Sequence, residues 1–309
     1  MSMFLVGRLL RAVTTIMLLV TVTFLALRLT GDPAVALLGN ESTPEGLKAF
    51  HERWGLDRPL PEQYAIYLGN LAGGDFGRSF IGDRAAWAVV FERLPGTLAL
   101  MGFAILFAVA AGVPAGIAAA LYRNSWIDRV TMTVAATGFS VPSFVVGVLL
   151  IVIFGVVWRA LPTTGDDTAW HYVLPVLTLG TADMALYARF TRSAMLEVLG
   201  RPYIRTAEAK GVPWRAVILR HALPNASIAL VTILGMHLGR SISGAVVTEN
   251  VFAWSGVGRL LVQSVANRDF AVVQTVVILV GATMVLANLL VDLSYSRLDP
   301  RTRAAGRAR

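Results

Sequence analysis

Apolar residues in this chain come in unbroken blocks, not in alternation. The blocks fall roughly at 8–29, 97–121, 130–157, 172–195, 222–247 and 271–294. A helix rises about 1.5 Å per residue, so a block of about 20 residues crosses a hydrocarbon core of about 30 Å. A membrane barrel would show alternating segments of about ten residues, which are not present. The pattern predicts an all-α polytopic membrane protein with six transmembrane helices. The third block is long enough to tilt or to emerge at one end.

Composition agrees. Of 309 residues, 56% are hydrophobic and 15% charged, against about 25% charged in soluble domains. The net charge of +8 finds its explanation in sidedness. Six crossings put both termini on one side, and that side collects sixteen Lys and Arg, against nine on the other beside 13 acids. The positive-inside rule then orients the chain N-in and C-in, with no need for nucleic acid. The expected organisation is a first transmembrane helix (1–29), an extracytoplasmic loop with short amphipathic helices (30–95), a five-helix transmembrane core (96–296) carrying a cytoplasmic loop (197–221), and a basic cytoplasmic tail (297–309). Arg8 and Arg11 before an apolar run also suit a signal peptide. The run from Ala12 to Leu27 is long for one, and no small-x-small site follows, so the segment is read as an uncleaved span. Cysteine is absent, which excludes disulfide and thiol chemistry. The four histidines are scattered, and no metal site is expected.

The outer loop predicts two surface helices. In TPEGLKAFHERWGL, Thr43 caps, Pro44 suits the first turn, and Leu47, Phe50 and Trp54 share a face. In PEQYAIYLGNL, Tyr64, Tyr67, Leu68 and Leu71 do the same. These helices are expected to pack as a lid on their own protein or the lipid interface, and a docking surface for an external partner is compatible with that.

The cytoplasmic stretch RTAEAKGVPWRAVILRHALP (205–224) is the most distinctive. Gly211 and Pro213 break one short helix and start another. Pro224 is expected in the first turn of the fifth span. Trp214, Val217, Ile218 and Leu219 predict an apolar face ringed by Arg205, Lys210, Arg215 and Arg220. A partner-binding helix has that form, and so does an amphipathic helix on anionic lipid.

This stretch resembles the EAA loop of ABC-type importer permeases: EAA, three residues, Gly, nine residues, Ile-x-Leu-Pro. Aligned on Gly211, Leu223 and Pro224 fall on Leu-Pro and Ala207 on the second alanine. Arg205, Thr206 and His221 depart from the general pattern in the way of the peptide-permease branch, where RTARAKG is typical. GDPAVALLGN (31–40), RLPGTLAL (93–100), SVPSFVVGVLLI (140–151), TRSAMLEVL (191–199) and GRSISGAVVTENVFAWSGVGRLLVQSVANRDFAVVQ (239–274) resemble the same branch in order. The chain is thus similar throughout to the B-type membrane subunit of a dipeptide/oligopeptide importer. The resemblance implies a type I importer permease fold with a cytoplasmic coupling helix in a bacterial inner membrane. It implies a heterodimer with a homologous C-type permease subunit, two ATPase subunits, an extracytoplasmic solute-binding protein and a peptide substrate. ATP and Mg would sit on the ATPase subunits, and no cofactor on this chain. Arg205, Ala207, Lys210, Gly211, Leu223 and Pro224 would form the ATPase-coupling element. Permeases of this kind also serve nickel, glutathione and some sugars, and these alternatives stay open.

Other residues bear on the path. Asp183, His237 and Arg240 lie within spans, and an intramembrane charge is costly unless it faces protein or a wet cavity. By depth Asp183 could pair with either of the others, as a structural ion pair or as part of a translocation path. Gly235 and Gly239 form a GxxxG in the fifth span, continued by Ser243, which suits helix packing or a subunit seam. Gly112 and Gly116 are read as packing. Glu249, Phe252 and Trp254 could form an outer gate, seat the binding protein or anchor at the interface. The chain contains no GxxxxGK[ST], so it is not expected to be an enzyme. An ion-coupled secondary transporter would call for more intramembrane carboxylates and inverted repeats. An intramembrane enzyme would call for paired catalytic groups.

Overall fold

The computed structural model describes residues 2–39 and 43–298, apart from the side chains of residues 2–6, 9, 228–229, 232–243 and 287–298. Helices account for the architecture: α1 (Ser2–Leu29), α2 (Pro33–Leu38), α3 (Pro44–Trp54), α4 (Leu60–Ala72), α5 (Ala86–Leu121), α6 (Trp126–Ser140), α7 (Ser143–Leu150), α8 (Val173–Leu199), α9 (Pro202–Ala209), α10 (Trp214–Ala216), α11 (Leu223–Val251), α12 (Val257–Ala266) and α13 (Phe270–Leu298). π-helical turns continue α7 over Ile151–Val157 and join α10 to α11 over Val217–Ala222. Among the described residues there is no strand, only an isolated bridge between Arg78 and Ala85.

Among the described residues, Leu10–Leu29 and Ala86–Leu121 are long and apolar enough to cross a membrane. The third block departs from expectation. It is not one rod: α6 and α7 meet at a bend of 101°. The cause is local. Pro142 offers no N–H, and it forces Val141 into extended backbone (φ −87°, ψ 124°). As a bent pair, α6 and α7 would add a third span.

The chain forms two compact units. The first comprises residues up to Gly96 together with Ser255–Leu286. Here the outer-loop helices form as expected. Thr43 accepts the Gly46 N–H at 3.1 Å, Pro44 opens α3, and left-handed Gly55 ends it. Phe50 and Trp54 meet Phe80 edge-on, with centroids 5.6 and 4.9 Å away, and Phe80 meets Phe270 at 5.6 Å. From α4, Tyr64 and Tyr67 pack on Phe24 of α1. The lid reading of these helices therefore holds within the unit. Asp269 anchors the 79–81 loop, taking the Ser79 hydroxyl and the Phe80 N–H, and burial raises its carboxyl above the usual range.

The second unit comprises Thr97–Trp254 and the chain from Ala287. Its centre is α8, packed against α5, α6 and α11. A Cβ at Gly112 would lie 2.5 Å from the Met184 carbonyl oxygen, and one at Gly116 would strike the Ala188 carbonyl and, at 2.6 Å, Thr191 Cβ. From α8, a Cβ at Gly180 would meet the Ala104 carbonyl at 2.9 Å. The packing reading of the 112–116 glycines is thus what the structure shows. Arg192 of α8 grips Asp128 of α6 through two hydrogen bonds of 2.5 and 2.8 Å.

Candidate functional site: the loop between α8 and α11

The loop folds as helix, glycine turn and helix. At the end of α9, Gly211 N–H bonds Glu208 O at 2.9 Å and Val212 N–H bonds Ala207 O at 3.2 Å. Together these are the two bonds of a Schellman ending, which requires a left-handed residue at Gly211. Its φ is +76°, and nothing lies within 4 Å of where its Cβ would be. Glycine is needed here for its conformation, not for space. Pro213, extended, then opens the next helix.

The two faces of this loop differ. Ala207, Ile204, Val217 and Ala222 are buried with Met195, Ala120 and Ala226, and Val212, Ile218 and Leu223 pack against that cluster. Arg205, Lys210, Arg215 and Arg220 are exposed, as are Trp214 (48%) and Leu219 (63%). One expectation is corrected. Val217 is fully buried and Ile218 partly so, because the π-helical turn rotates both inward. The outward apolar groups are Trp214 and Leu219 with Tyr203, which the sequence reading missed because it lies upstream of the motif.

Pro224 stands in the first turn of α11, as expected, but α11 does not begin afresh there. Helical backbone runs from Trp214 through the π-helical turn into α11. A proline inside a helix lacks one N–H and crowds the carbonyl four residues back, and a π turn accommodates such a defect. Asn225 also donates its side-chain amide to His221 O at 2.7 Å.

Asp183 is buried in α8. The side chains of His237, Gly239, Arg240 and Ser243 lie outside the described residues, although their backbone belongs to α11. Leu179 of α8 packs on Ala245, and a Cβ at Gly244 would touch it at 3.4 Å. One turn further along each antiparallel helix, Asp183 and Arg240 come level, while His237 is about 4–5 Å deeper by helical rise. Glu249, Phe252 and Trp254 are each 1% exposed or less. Glu249 accepts the Thr97 hydroxyl at 2.6 Å, and Trp254 meets the Tyr172 ring at 4.5 Å. As they stand, these three side chains are covered within their unit.

Known proteins fit this arrangement. The model for the binding-protein-dependent transport system inner membrane component matches residues 112–304, and the model for the N-terminal part of such components matches residues 1–101. The chain belongs to this family. It is similar to the glutathione transport system permease protein GsiC of Escherichia coli (strain K12), 42% identical over 301 residues, covering 97% of this chain and 98% of that protein. The GsiC of Salmonella choleraesuis (strain SC-B67) is 43% identical over 297 residues, covering 96% and 97%. In fold, the chain is similar to a chain of the inward-facing MetNI methionine ABC transporter, with a TM-score of 0.53 and 21% identity over 66% of this chain and 95% of that one.

The protein is therefore a permease subunit of a binding-protein-dependent ABC importer, with the type I importer fold. It is an inner-membrane component of a transport system that depends on a binding protein. Within this permease, sequence reasoning missed the Asp128–Arg192 clamp. A signal was present: Asp128 stands three residues after the N-cap Ser125, where a carboxylate is favoured.

Proposed function

We propose that this permease forms half of a pore that admits short peptides, glutathione included, and that separate ATPases drive it through the 205–224 loop. The observation that carries the reading is the two-faced loop. One face is sealed into the apolar base of α8 and α11 by Ile204, Ala207, Val217 and Ala222. The other presents Tyr203, Trp214 and Leu219 among exposed arginines and Lys210. Helical backbone joins Trp214 to α11, so a push on the loop would reach the membrane helix without a hinge. The chain would cross six times with both termini inside, beside a homologous C-type subunit. Two ATPase subunits would hold ATP and Mg, and an extracytoplasmic protein would deliver the solute. Peptide chemistry rests on the ordered resemblance to the peptide branch. The glutathione permeases named above support the same class, since glutathione is itself a modified tripeptide.

Replacing both Trp214 and Leu219 with Ala removes exposed apolar groups and leaves the buried cluster intact. In the full complex, solute-stimulated ATP hydrolysis is expected to fall at least about tenfold, in keeping with the loss of interface anchors worth about 2 kcal/mol together. Undiminished hydrolysis and uptake would refute the coupling role. Competition between a dipeptide and glutathione for stimulation, with the cognate binding protein present, reads the substrate.

For the path, Asp183 would face the solute route near Arg240, with His237, Gly239 and Ser243 on the same helix. Glu249, Phe252 and Trp254 would close its outer end. Asp183→Asn or Thr97→Val is expected to change uptake several-fold while the complex still assembles. Normal uptake in either variant removes the corresponding part.

A further inference from the structure

The first unit contains a cavity that the coupling reading does not use. It measures about 370 Å³ and is lined by Arg28, Glu52, Gln63, Tyr67, Phe80 and Phe270 among further residues. Arg28 sits at the C-terminal end of α1. Its guanidinium lies between the rings of Phe24 and Phe270, 4.8 and 4.6 Å from their centroids. Its Nε donates to Gln63 Oε1 at 2.8 Å. Gln63 is held in turn, its amide donating to Leu56 O and Arg58 O. Two aromatic contacts and the Nε hydrogen bond thereby engage the guanidinium. Its Nη1 is buried and has no hydrogen-bond partner, and the same is true of the Tyr67 hydroxyl.

The charges around the cavity differ in their pairing. Arg53 and Arg78 share Asp83, and Arg58 pairs with Glu62. Among the described residues, Arg28 has no carboxylate partner. Burial, with Tyr64 adding to it, pushes the Tyr67 hydroxyl up to about 12, so it remains a donor at neutral pH. Two unspent donors, one of them cationic, belong to residues that border a space whose other cations are already paired, and whose one carboxylate, Glu52, pairs with Lys48. Leaving a buried charge unpaired is costly, and a bound counter-charge removes the cost.

We infer that this cavity binds an oxyanion, a carboxylate or a phosphate, through Arg28 Nη1 and the Tyr67 hydroxyl. The aromatic walls admit a ligand with an apolar body behind the anionic group, so either a small organic acid or a phospholipid headgroup has the right chemistry. The inference is independent of how the 205–224 loop is driven.

The full complex, purified in a maltoside detergent, tests it. Glutarate serves as the soluble carboxylate probe, read by calorimetry. Retained phospholipid, read by native mass spectrometry before and after delipidation, serves as the phosphate probe. Binding of glutarate identifies a soluble acid site, and retained lipid that blocks glutarate identifies a headgroup site. In either case Arg28→Gln is expected to weaken the occupant about tenfold or more, as loss of a charge-assisted bond requires. Tyr67→Phe keeps the ring on Phe24 and removes only the hydroxyl, so it separates binding from folding. It is expected to weaken the occupant several-fold with an unchanged melting temperature. Absence of both occupants, or affinities that neither variant changes, overturns the inference.

Discussion

Gly211 shows how one residue governs the coupling loop. Its φ of +76° lies where an L side chain costs about 1–2 kcal/mol. Open space surrounds it, so Gly211→Ala is expected to destabilise only by that amount and to leave the core packed. The effect should concentrate in the angle between α9 and the helix that follows, because Val212 N–H would leave Ala207 O. Uptake by the complex is expected to fall several-fold while expression stays normal. Wild-type uptake from Gly211→Ala would show that the turn carries no mechanical role. Ala207 belongs to the same scale: it packs with Val217 and Ala222, where a longer side chain would lift the loop from its base.

Helices meet in this protein through small residues. Without a hydrophobic drive between helices in lipid, close backbone approach supplies much of the attraction. The α5–α8 crossing is built this way, with Gly112 and Gly116 against Met184 and Ala188, and Gly180 against Ala104. A backbone carbonyl cannot rotate aside, so Gly116→Val is expected to cost about 3 kcal/mol, at the upper end of overpacking. A fluorescence melting curve of the purified chain should show a lowered midpoint. An unchanged midpoint would mean the helices separate at no cost. The bend at Val141–Pro142 and the π turn before Pro224 belong to this scale too. Both are backbone answers to a missing N–H. One breaks the rod and the other keeps it whole, and the continuous rod is the one attached to the coupling loop.

For the whole molecule, the charge bias predicts sidedness, and composition supplies the tool that tests it. The chain has no cysteine, so any single cysteine introduced reports alone. Lys48→Cys and Glu208→Cys alter exposed positions on α3 and α9. With both termini inside, a membrane-impermeant maleimide should label Lys48→Cys in intact cells, and Glu208→Cys only after permeabilisation. The reverse pattern would invert the orientation. The charge bias rests on many residues together, which is why it reads topology well and says nothing of any one contact.

Membrane character, the two amphipathic helices of the outer loop and the glycine turn were legible in the linear chain. Each is set by local chemistry: uninterrupted apolar length, a cap such as Thr43 with its helical period, and a backbone angle open to Gly211. Family membership was legible as well, through short motifs kept in order along the chain. Which neighbour each side chain meets was not. Val217 turned inward on a π-helical turn, although periodicity placed it outward. Glu249, Phe252 and Trp254 proved covered, since burial is settled by helices far away in sequence. Arg28 carries no signal in the linear chain, and only the fold brings Phe24, Gln63, Tyr67 and Phe270 around it. Periodicity describes a helix alone, whereas burial and unpaired charge arise only when several helices share one space.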